Sequence, residues 1–311
     1  MGVGAFPRWQ PTTTILRFAA IALLLVASSV SSRASELNGE TLRTWKQYTQ
    51  AQNARVTQSL RDGSFLWSEQ SPDRLRRLRQ GEILVAPMGE NPKIAPLGLI
   101  HHWIGAIFLP NTSLDSVLTV VRDYDSYRNF FAPNVIDSRL LHQGPTEDAF
   151  SLVILNKALV AKFALFAEFQ SSYVRVNGNR CYSVGASTRI HEVEDYGEPG
   201  QYELPVDTGH GFIWRLYNIS RFEQRDGGVY VELEAIVLSR DVPGAIRWLV
   251  SPTVRRVSKN SMLVSLQKTQ DAVFAPKQMA SRTLRKDDAV EGKASNKALL
   301  APKGFRPSAG Y

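Results

Sequence analysis

The sequence predicts an α+β protein with an antiparallel sheet. Seven segments with the branched and aromatic character of strands are grouped between helical segments, an order typical of α+β folds. Two pairs of these segments are joined by Asn177-Gly178 and by Asp226-Gly227, which favour tight hairpins between antiparallel strands. A long apolar segment with helical periodicity follows the last strand.

The charge of the chain is concentrated at its ends. The formal net charge is +8, but residues 1–34 carry three basic groups and no acid, and residues 276–311 carry eight basic and three acidic groups. Residues 35–275 therefore carry 26 groups of each sign. Since binding of nucleic acid requires clustered basic charge, this balance excludes a nucleic-acid-binding domain. Cys181 is the single cysteine, so an intramolecular disulfide is excluded.

The N-terminal segment has the pattern of an export signal. Arg8 and Arg17 precede an apolar run at 18–27, which small residues follow up to Ala34. The alternative is an uncleaved membrane anchor, but a spanning helix needs about 20 apolar residues and this run is shorter. We expect a signal peptide over residues 1–34, cleaved near Ala34, and a periplasmic or secreted protein.

Residues 35–98 are expected to form a helical N-terminal extension with one strand. The spacing of apolar residues predicts a helix over 39–61, and Ser71-Pro72 predicts the start of a second, at 74–79. This second helix places four arginines around two leucines. One interpretation is a patch for transient contact with a membrane or an anionic partner; the other is a solvated helix face. A strand is expected at 82–86.

The main domain is expected at 99–275, followed by a disordered basic tail at 276–311. Its first strand, 99–109, precedes a helix over 114–122 and a shorter helix over 124–131. Six further strands follow, and the final helix is expected from about Pro243 to Phe274. The six strands are predicted at 135–142, 148–155, 163–176, 181–193, 212–225 and 229–240.

The last hairpin indicates which side chains face the interior. A two-residue loop at Asp226-Gly227 sets Arg221 opposite Glu232, whereas a loop one residue later would set two glutamates against each other. In this register the charged face is expected to be solvated. The opposite, inner face mixes aromatic with small and polar residues, which suits an apolar pocket with a few polar groups. The alternative is a crowded bend of a sheet packed on a helix.

Several segments resemble the START-like, polyketide cyclase superfamily. They are His102-Trp103-Ile-Gly-Ala-Ile-Phe-Leu-Pro110, Val120-Val-Arg-Asp-Tyr-Asp-Ser-Tyr127, Phe131-Ala-Pro-Asn-Val135, Ser138-Arg-Leu-Leu141, and Ser239-Arg-Asp-Val-Pro243 leading into Arg247-Trp-Leu-Val250. The resemblance implies a helix-grip fold, in which a curved antiparallel seven-stranded sheet wraps around a long C-terminal helix above a cavity. Members bind lipids, sterols, polyketides, quinones or plant hormones, and a minority catalyse cyclisation or dehydration.

The inner face and the implied cavity together give the candidate pocket residues. They are Trp103, Phe131, Thr188, Trp214, Leu216, Asn218, Ser220, Phe222, Val231, Leu233, Ala235, Val237, Ser239 and Leu249.

Catalytic and cofactor motifs are sparse. The sequence has no Gly-x-Ser-x-Gly elbow, no P-loop and no Gly-x-Gly-x-x-Gly, and we expect no cofactor and no metal. His101 and His102 are neighbours on one strand, so their side chains are expected on opposite faces. His191-Glu192 and His210 are expected near one rim of the sheet, where they would form an acid–base or metal site or serve as capping residues.

These observations favour an exported, non-catalytic carrier or sensor of a hydrophobic small molecule or lipid. One alternative is a cyclase- or dehydratase-like enzyme that uses His191, Glu192 or His210 on a polyketide-like substrate. Another is an envelope interaction protein whose cavity is filled by its own side chains. The sequence leaves the ligand and the oligomeric state open.

Overall fold

The computed structural model describes residues 35–156, 163–241 and 252–275. The expected export signal, the basic tail and the pocket residue Leu249 lie outside these residues.

The extension folds into two helices and three short strands. Its elements are β1 (Ser35–Glu36), α1 (Gly39–Arg61), a 3₁₀ turn (Trp67–Gln70), α2 (Pro72–Arg79), β2 (Leu84–Pro87) and β3 (Lys93–Ala95). Helix α1 has the bounds that the sequence predicts, because Asn38 caps it: the Asn38 side chain accepts a hydrogen bond of 2.7 Å from the backbone N–H of Glu40. Strand β3 falls where the sequence predicts only a loop.

The remaining elements follow the predicted order. They are β4 (Gly98–Pro110), α3 (Leu114–Val121), a 3₁₀ turn (Tyr124–Ser126), α4 (Tyr127–Phe130), β5 (Val135–Gln143), β6 (Glu147–Asn156), β7 (Phe163–Arg175), β8 (Arg180–Glu194), β9 (Tyr202–Glu203), β10 (Thr208–Gly209), β11 (Arg215–Arg225) and β12 (Gly228–Arg240). A final helix, α5, covers 252–275.

The large sheet has the strand order β2-β4-β12-β11-β8-β7-β6-β5, with β3 added beside β4 and β9 beside β8. All of its pairings are antiparallel. Its seven long strands are the seven predicted ones. A curved open antiparallel sheet packed against a C-terminal helix is a helix-grip arrangement, and the expected α+β fold class is confirmed.

The predicted register of the last hairpin is also confirmed. Arg221 pairs with Glu232, and Phe222 pairs with Val231. The loop residues Asp226 and Gly227 have φ values of 55° and 78°, the left-handed pair that a type I′ turn requires.

Helix α5 packs on one face of the sheet, here called the concave face. Met262 and Leu266 of α5 are buried against β4 at Gly105. A Cβ atom at Gly105 would lie 2.5 Å from Leu266 Cδ1, so only glycine allows the helix to approach this closely.

The opposite, convex face is covered by the extension. Trp45 of α1 packs with Ile100, Ile236 and Leu238. Leu78 of α2 lies in a second cluster with Phe108 and Tyr230. The expectation of a solvated charged face on the last hairpin is therefore wrong. Four charged residues of this face are almost fully buried: Arg221, Glu223, Glu232 and Glu234.

The extension supplies partners for two of these buried charges, Glu232 and Glu234. The carboxylate of Glu232, 0% exposed, accepts hydrogen bonds from the backbone N–H groups of Trp67 (2.7 Å) and Ser68 (2.8 Å). Burial raises the pKa of Glu232, and these hydrogen bonds oppose the rise. Glu234 forms an ion pair with Arg55 of α1. The hairpin pattern is local and contains none of these partners, which is why it predicts a solvated face.

Candidate functional site

Two apolar clusters occupy different parts of the concave face. The first, the helix cluster, lies beneath α5 and includes Trp103, Ile107, Leu109, Phe222, Val231, Met262 and Leu266. The second, the aromatic cluster, lies between α4 and strands β5 to β8 and includes Tyr124, Phe150, Leu165, Phe169 and Ile190. Phe131 and Leu216 pack against the aromatic cluster.

Between the clusters, small and polar residues form what we call the central strip: Ser171, Ser183, Gly185, Asn218, Ser220 and Ala235. They belong to two adjacent cross-strand rows. One row runs Ser171, Gly185, Asn218, Ala235, Trp103, and the other runs Tyr173, Ser183, Ser220, Leu233, Gly105. The strip therefore crosses four neighbouring strands in register.

The residues of the last hairpin that face α5 are more accessible than those that face away from it. Seven concave-face residues at the centre of the sheet are only half-buried: Leu216, Asn218, Ser220, Leu233, Ala235, Val237 and Ser239. On the convex face of the same two strands, Ile219, Ile236 and Leu238 are 0% exposed. Residues in the middle of a ten-stranded sheet can remain accessible only if there is open space above them. Among the described residues, the concave face therefore has open space beside Asn218, Ser220 and Ala235.

The polar side chains of the strip have no protein partners. In the part of the chain that the structure describes, the hydroxyls of Ser171, Ser183 and Ser220 and the amide of Asn218 form no hydrogen bond with another protein group. Ser187, one row away, differs: its Oγ accepts the backbone N–H of Leu216 at 3.0 Å. Ser171 and Ser183 are buried and Asn218 and Ser220 are half-buried, so these four unpaired neighbours mark a place where another molecule can supply hydrogen-bond partners.

A polar network borders the strip near α3. The guanidinium of Arg122 donates two hydrogen bonds to the carboxylate of Asp148, at 2.8 and 2.6 Å. The Tyr124 hydroxyl donates to Asp148 at 3.1 Å and lies 2.8 Å from the Tyr173 hydroxyl. Because the carboxylate can only accept, the chain of bonds runs from Tyr173 to Tyr124 to Asp148. Burial raises the pKa of Tyr173 to about 12, which keeps its hydroxyl protonated.

Sequence reasoning missed this network. One signal was present: Asp148 begins the alternation Asp148, Phe150, Leu152, Ile154, which places an acid on the apolar face of β6. An acid on such a face requires a partner, but the sequence does not show that Arg122 supplies it.

Most of the candidate pocket residues lie on the concave face. Trp103, Phe222 and Val231 are packed in the helix cluster, and Leu233 and Ala235 pack against it. Phe131 and Leu216 border the aromatic cluster. Asn218 and Ser220 form the middle of the strip, while Val237 and Ser239 continue the face toward the N-terminal end of β4.

Two candidates lie elsewhere. Trp214 precedes β11, and it packs on the convex face with Trp45, Ile236 and Leu238. Its backbone N–H donates a hydrogen bond of 2.7 Å to the carbonyl oxygen of Leu238. The regular alternation of side chains between the two faces begins only with β11, so it does not place Trp214 on the concave face. Thr188 is the extra residue at a β-bulge, where Glu168 pairs with Arg189 and Phe169 pairs with Ser187, and it is exposed.

His101 and His102 point to opposite faces, as expected. His101 Nε2 lies 3.2 Å from Ser239 Oγ on the concave face. His102 Nδ1 lies 2.9 Å from the Tyr48 hydroxyl on the convex face. Burial lowers the pKa of each imidazole to about 4, so both are neutral at pH 7.

The structure brings Glu192 and His210 of the rim together and places His191 on the other face of the sheet. Glu192 is buried, and its carboxylate accepts from the Nδ1 (2.9 Å) and backbone N–H (2.7 Å) of His210 and from the backbone N–H of Gly211 (2.9 Å). Its oxygens hold the 210–212 loop against β8. His191 faces the other side of the sheet, where it stacks on Phe166 and lies 2.9 Å from Glu203. Among the described residues, no three acids, histidines or cysteines are grouped to bind a metal.

The arginines of α2 are engaged within the molecule. Arg74 stacks over the ring of Trp67 at 4.1 Å, and Arg76 pairs with Asp73. Arg77 lies 2.8 Å from Glu82, and Arg79 lies 3.7 Å from Asp226. These contacts favour a structural role over an anion-binding patch. Within the described residues, no helix has the length and apolar character needed to cross a bilayer.

Comparisons with known proteins give matches at the level of solved structures. No family model matches the chain, and no curated protein matches it. It is similar to a fragment of a STAR-related lipid transfer protein from Xanthomonas axonopodis, with 18% identity and a TM-score of 0.40 over 61% of this chain and 98% of that one.

Two further solved structures are similar. Human STARD10 matches at 10% identity and a TM-score of 0.39, over 70% of this chain and 84% of that one. The Zhui aromatase/cyclase from a Streptomyces species matches at 14% identity and a TM-score of 0.35, over 56% of this chain and 96% of that one.

Proposed function

We propose that this protein binds a hydrophobic small molecule or lipid between the concave face and α5, as a non-catalytic carrier or sensor. The observation that carries the proposal is the accessibility of concave-face residues of the last hairpin, including Asn218, Ser220 and Ala235 of the central strip. Residues in the middle of the sheet are half-buried on the side facing α5, although Ile219, Ile236 and Leu238 on the convex side of the same strands are fully buried.

The side chains around the strip suit such a ligand. Gly185, Ala235 and Ser220 are small residues at positions where a solid core would carry leucine or phenylalanine. The helix cluster and the aromatic cluster provide apolar walls on either side. A mostly apolar space with a few polar groups is the usual composition of a small-molecule site.

The polar groups near the concave face favour binding over catalysis. The carboxylates of Glu192 and Asp148 are both fully engaged in holding other parts of the protein. His191 lies on the convex face, away from the strip. The cyclase-like alternative would therefore have to rest on the Glu192–His210 pair at the rim, without His191.

Export is part of the same proposal, and its support is the pattern of residues 1–34. Fractionation of the native cells and N-terminal sequencing of the mature protein test it. We expect an extracytoplasmic protein that begins near Ser35, and a cytoplasmic protein with an intact N-terminus would contradict export.

Filling the space tests the binding proposal. Ala235→Leu places a larger side chain at the centre of the strip, and Ala51→Leu makes the same change on an exposed position of α1. With 1-anilinonaphthalene-8-sulfonate as the fluorescent probe, we expect Ala235→Leu to weaken binding about tenfold, which corresponds to about 1.4 kcal/mol, and Ala51→Leu to leave it unchanged.

Both proteins should unfold cooperatively, and Ser220→Val is a smaller filling change if Ala235→Leu does not fold. Unchanged probe affinity in a folded strip variant would show that the dye binds elsewhere and would overturn the proposal.

A further inference from the structure

We infer that the ligand carries a neutral hydroxyl group in the interior of its apolar skeleton, and that this group sits on the central strip. The inference rests on the proposed function and names the chemical class of the molecule bound. It is argued from the register, pairing and charge of the strip.

The strip is a compact polar patch. Ser171, Ser183 and Asn218 lie on three neighbouring strands, β7, β8 and β11. Adjacent strands are about 4.8 Å apart, so the patch is about 10 Å wide, the size of a small polar group and its immediate surroundings. The Asn218 amide lies over Gly185, and Ser171 Oγ approaches the same glycine.

The unpaired groups explain why a pure hydrocarbon would bind poorly. An apolar ligand lying on the strip would remove the side chains of Asn218 and Ser220 from water and give them no hydrogen bonds in return, and it would leave the buried hydroxyls of Ser171 and Ser183 unpaired. A hydroxyl both donates and accepts, and the serine hydroxyls and the asparagine amide do the same. A hydroxyl therefore pairs with the strip whichever way those groups are turned.

The charge of the surroundings selects a neutral group. None of the six strip residues is ionisable. The row that contains Ser171 continues to Asp148 on β6, and the charge of Asp148 is already paired with Arg122. A carboxylate or phosphate on the strip would lose its hydration without gaining an opposite charge.

The position of the strip places the hydroxyl within the ligand rather than at its end. The helix cluster lies on one side and the aromatic cluster on the other, so apolar parts of the ligand extend in both directions. This arrangement differs from a site for a headgroup, which would lie at the rim and in contact with water.

A matched pair of probes tests the inference: 12-hydroxyoctadecanoic acid and octadecanoic acid differ only in a mid-chain hydroxyl. We expect the wild-type protein to bind the hydroxylated acid about five- to tenfold more tightly in isothermal titration calorimetry. Asn218→Leu and Ser220→Ala should reduce this preference to about twofold or less, while octadecanoic acid binds as well as before or more tightly.

Neighbouring serines on β7 supply the control. Ser171→Ala removes a strip hydroxyl, whereas Ser172→Ala removes one that points to the convex face of the same strand. We expect only Ser171→Ala to lower the preference. Equal wild-type affinity for the two acids, or a preference that survives in Asn218→Leu and Ser220→Ala, overturns the inference and leaves the proposed function standing. If neither acid binds and 1-anilinonaphthalene-8-sulfonate does not bind either, the proposed function falls, and this inference falls with it.

Discussion

The side-chain amide of Asn218 lies across the backbone of Gly185, its register partner on the neighbouring strand. A methyl group at Gly185 would lie 2.8 Å from both the Oδ1 and the Nδ2 atoms of Asn218. The position of the amide on the central strip thus depends on residue 185 having no side chain.

Gly185→Ala should displace the amide without unfolding the protein. The clashing atoms are the ends of flexible side chains, so we expect a change of less than about 1 kcal/mol in the free energy of unfolding. The preference for the hydroxylated acid should fall severalfold, because the amide no longer lies over the strip. Thermal unfolding and titration calorimetry measure the two effects, and an unaltered preference would contradict the role given to Asn218.

Gly105→Ala should loosen the contact between α5 and the sheet. The added methyl group would lie 2.5 Å from Leu266 Cδ1 and 2.9 Å from Met262 Cγ, so we expect a loss of about 1–3 kcal/mol in stability. Leu266→Ala alone should cost about 2–5 kcal/mol by leaving a cavity. The double variant should lose less than the sum of the two, because the new methyl group fills part of that cavity. Urea unfolding of all four proteins tests this, and simple additivity would mean that α5 does not rest on Gly105.

Acid should destabilise the fold between about pH 6.5 and pH 4. The pKa values of His101 and His102 fall from about 6.5 to about 4 on folding because burial disfavours their charged forms. The unfolded chain therefore binds more protons in this range, so stability rises with pH through it and is complete above about pH 6.5. Each histidine contributes a slope of up to about 1.4 kcal/mol per pH unit.

His102→Asn isolates one part of this effect. His102 faces Tyr48 and Arg55 from α1 and Arg221 and Glu234 from the sheet, and of these only Glu234 favours its protonation. Urea unfolding at pH 7 and pH 5 should show a shallower pH dependence in the variant than in the wild type. An identical dependence would show that other groups, such as the buried carboxylates, account for the acid sensitivity.

Asp148→Asn should strongly destabilise the protein, because Asp148 holds the polar network beside the central strip together. The change leaves the Arg122 guanidinium without its counter-charge, and breaking a buried ion pair in this way costs about 3 kcal/mol or more. Arg122→Met combined with Asp148→Asn should recover part of the loss, because no unpaired charge remains. Chemical denaturation measures both, and a double variant as unstable as the sum of the single ones would contradict the pairing.

Local patterns in the sequence predict much of this fold. The bounds of α1 follow from the apolar spacing, and the register of the last hairpin follows from Asp226-Gly227. Each of these depends on residues that are near one another in the chain. The alternation of side chains along the last hairpin also predicts that Asn218 and Ser220 lie on the concave face.

The predictions from sequence are wrong where a side chain's partner is distant in the chain, or where the alternation of side chains along a strand is interrupted. Glu232 looks solvent-exposed until Trp67 and Ser68, about 165 residues earlier, are found to bond with it. Thr188 is displaced by a bulge, and Trp214 lies before its strand begins. The Arg122–Asp148 pair joins a helix end to a strand, a proximity that only the tertiary structure creates.

The coverage of the convex face also determines what a shortened protein would look like. A fragment beginning at Leu99 has all seven long strands and α5, yet it lacks Arg55, Trp67 and Ser68, which satisfy Glu234 and Glu232. Its convex face would expose the apolar side chains of Ile100, Ile236 and Leu238 beside carboxylates that have lost their partners. Such a fragment would tend to self-associate, and the smallest unit fit for binding studies starts at the first turn of α1.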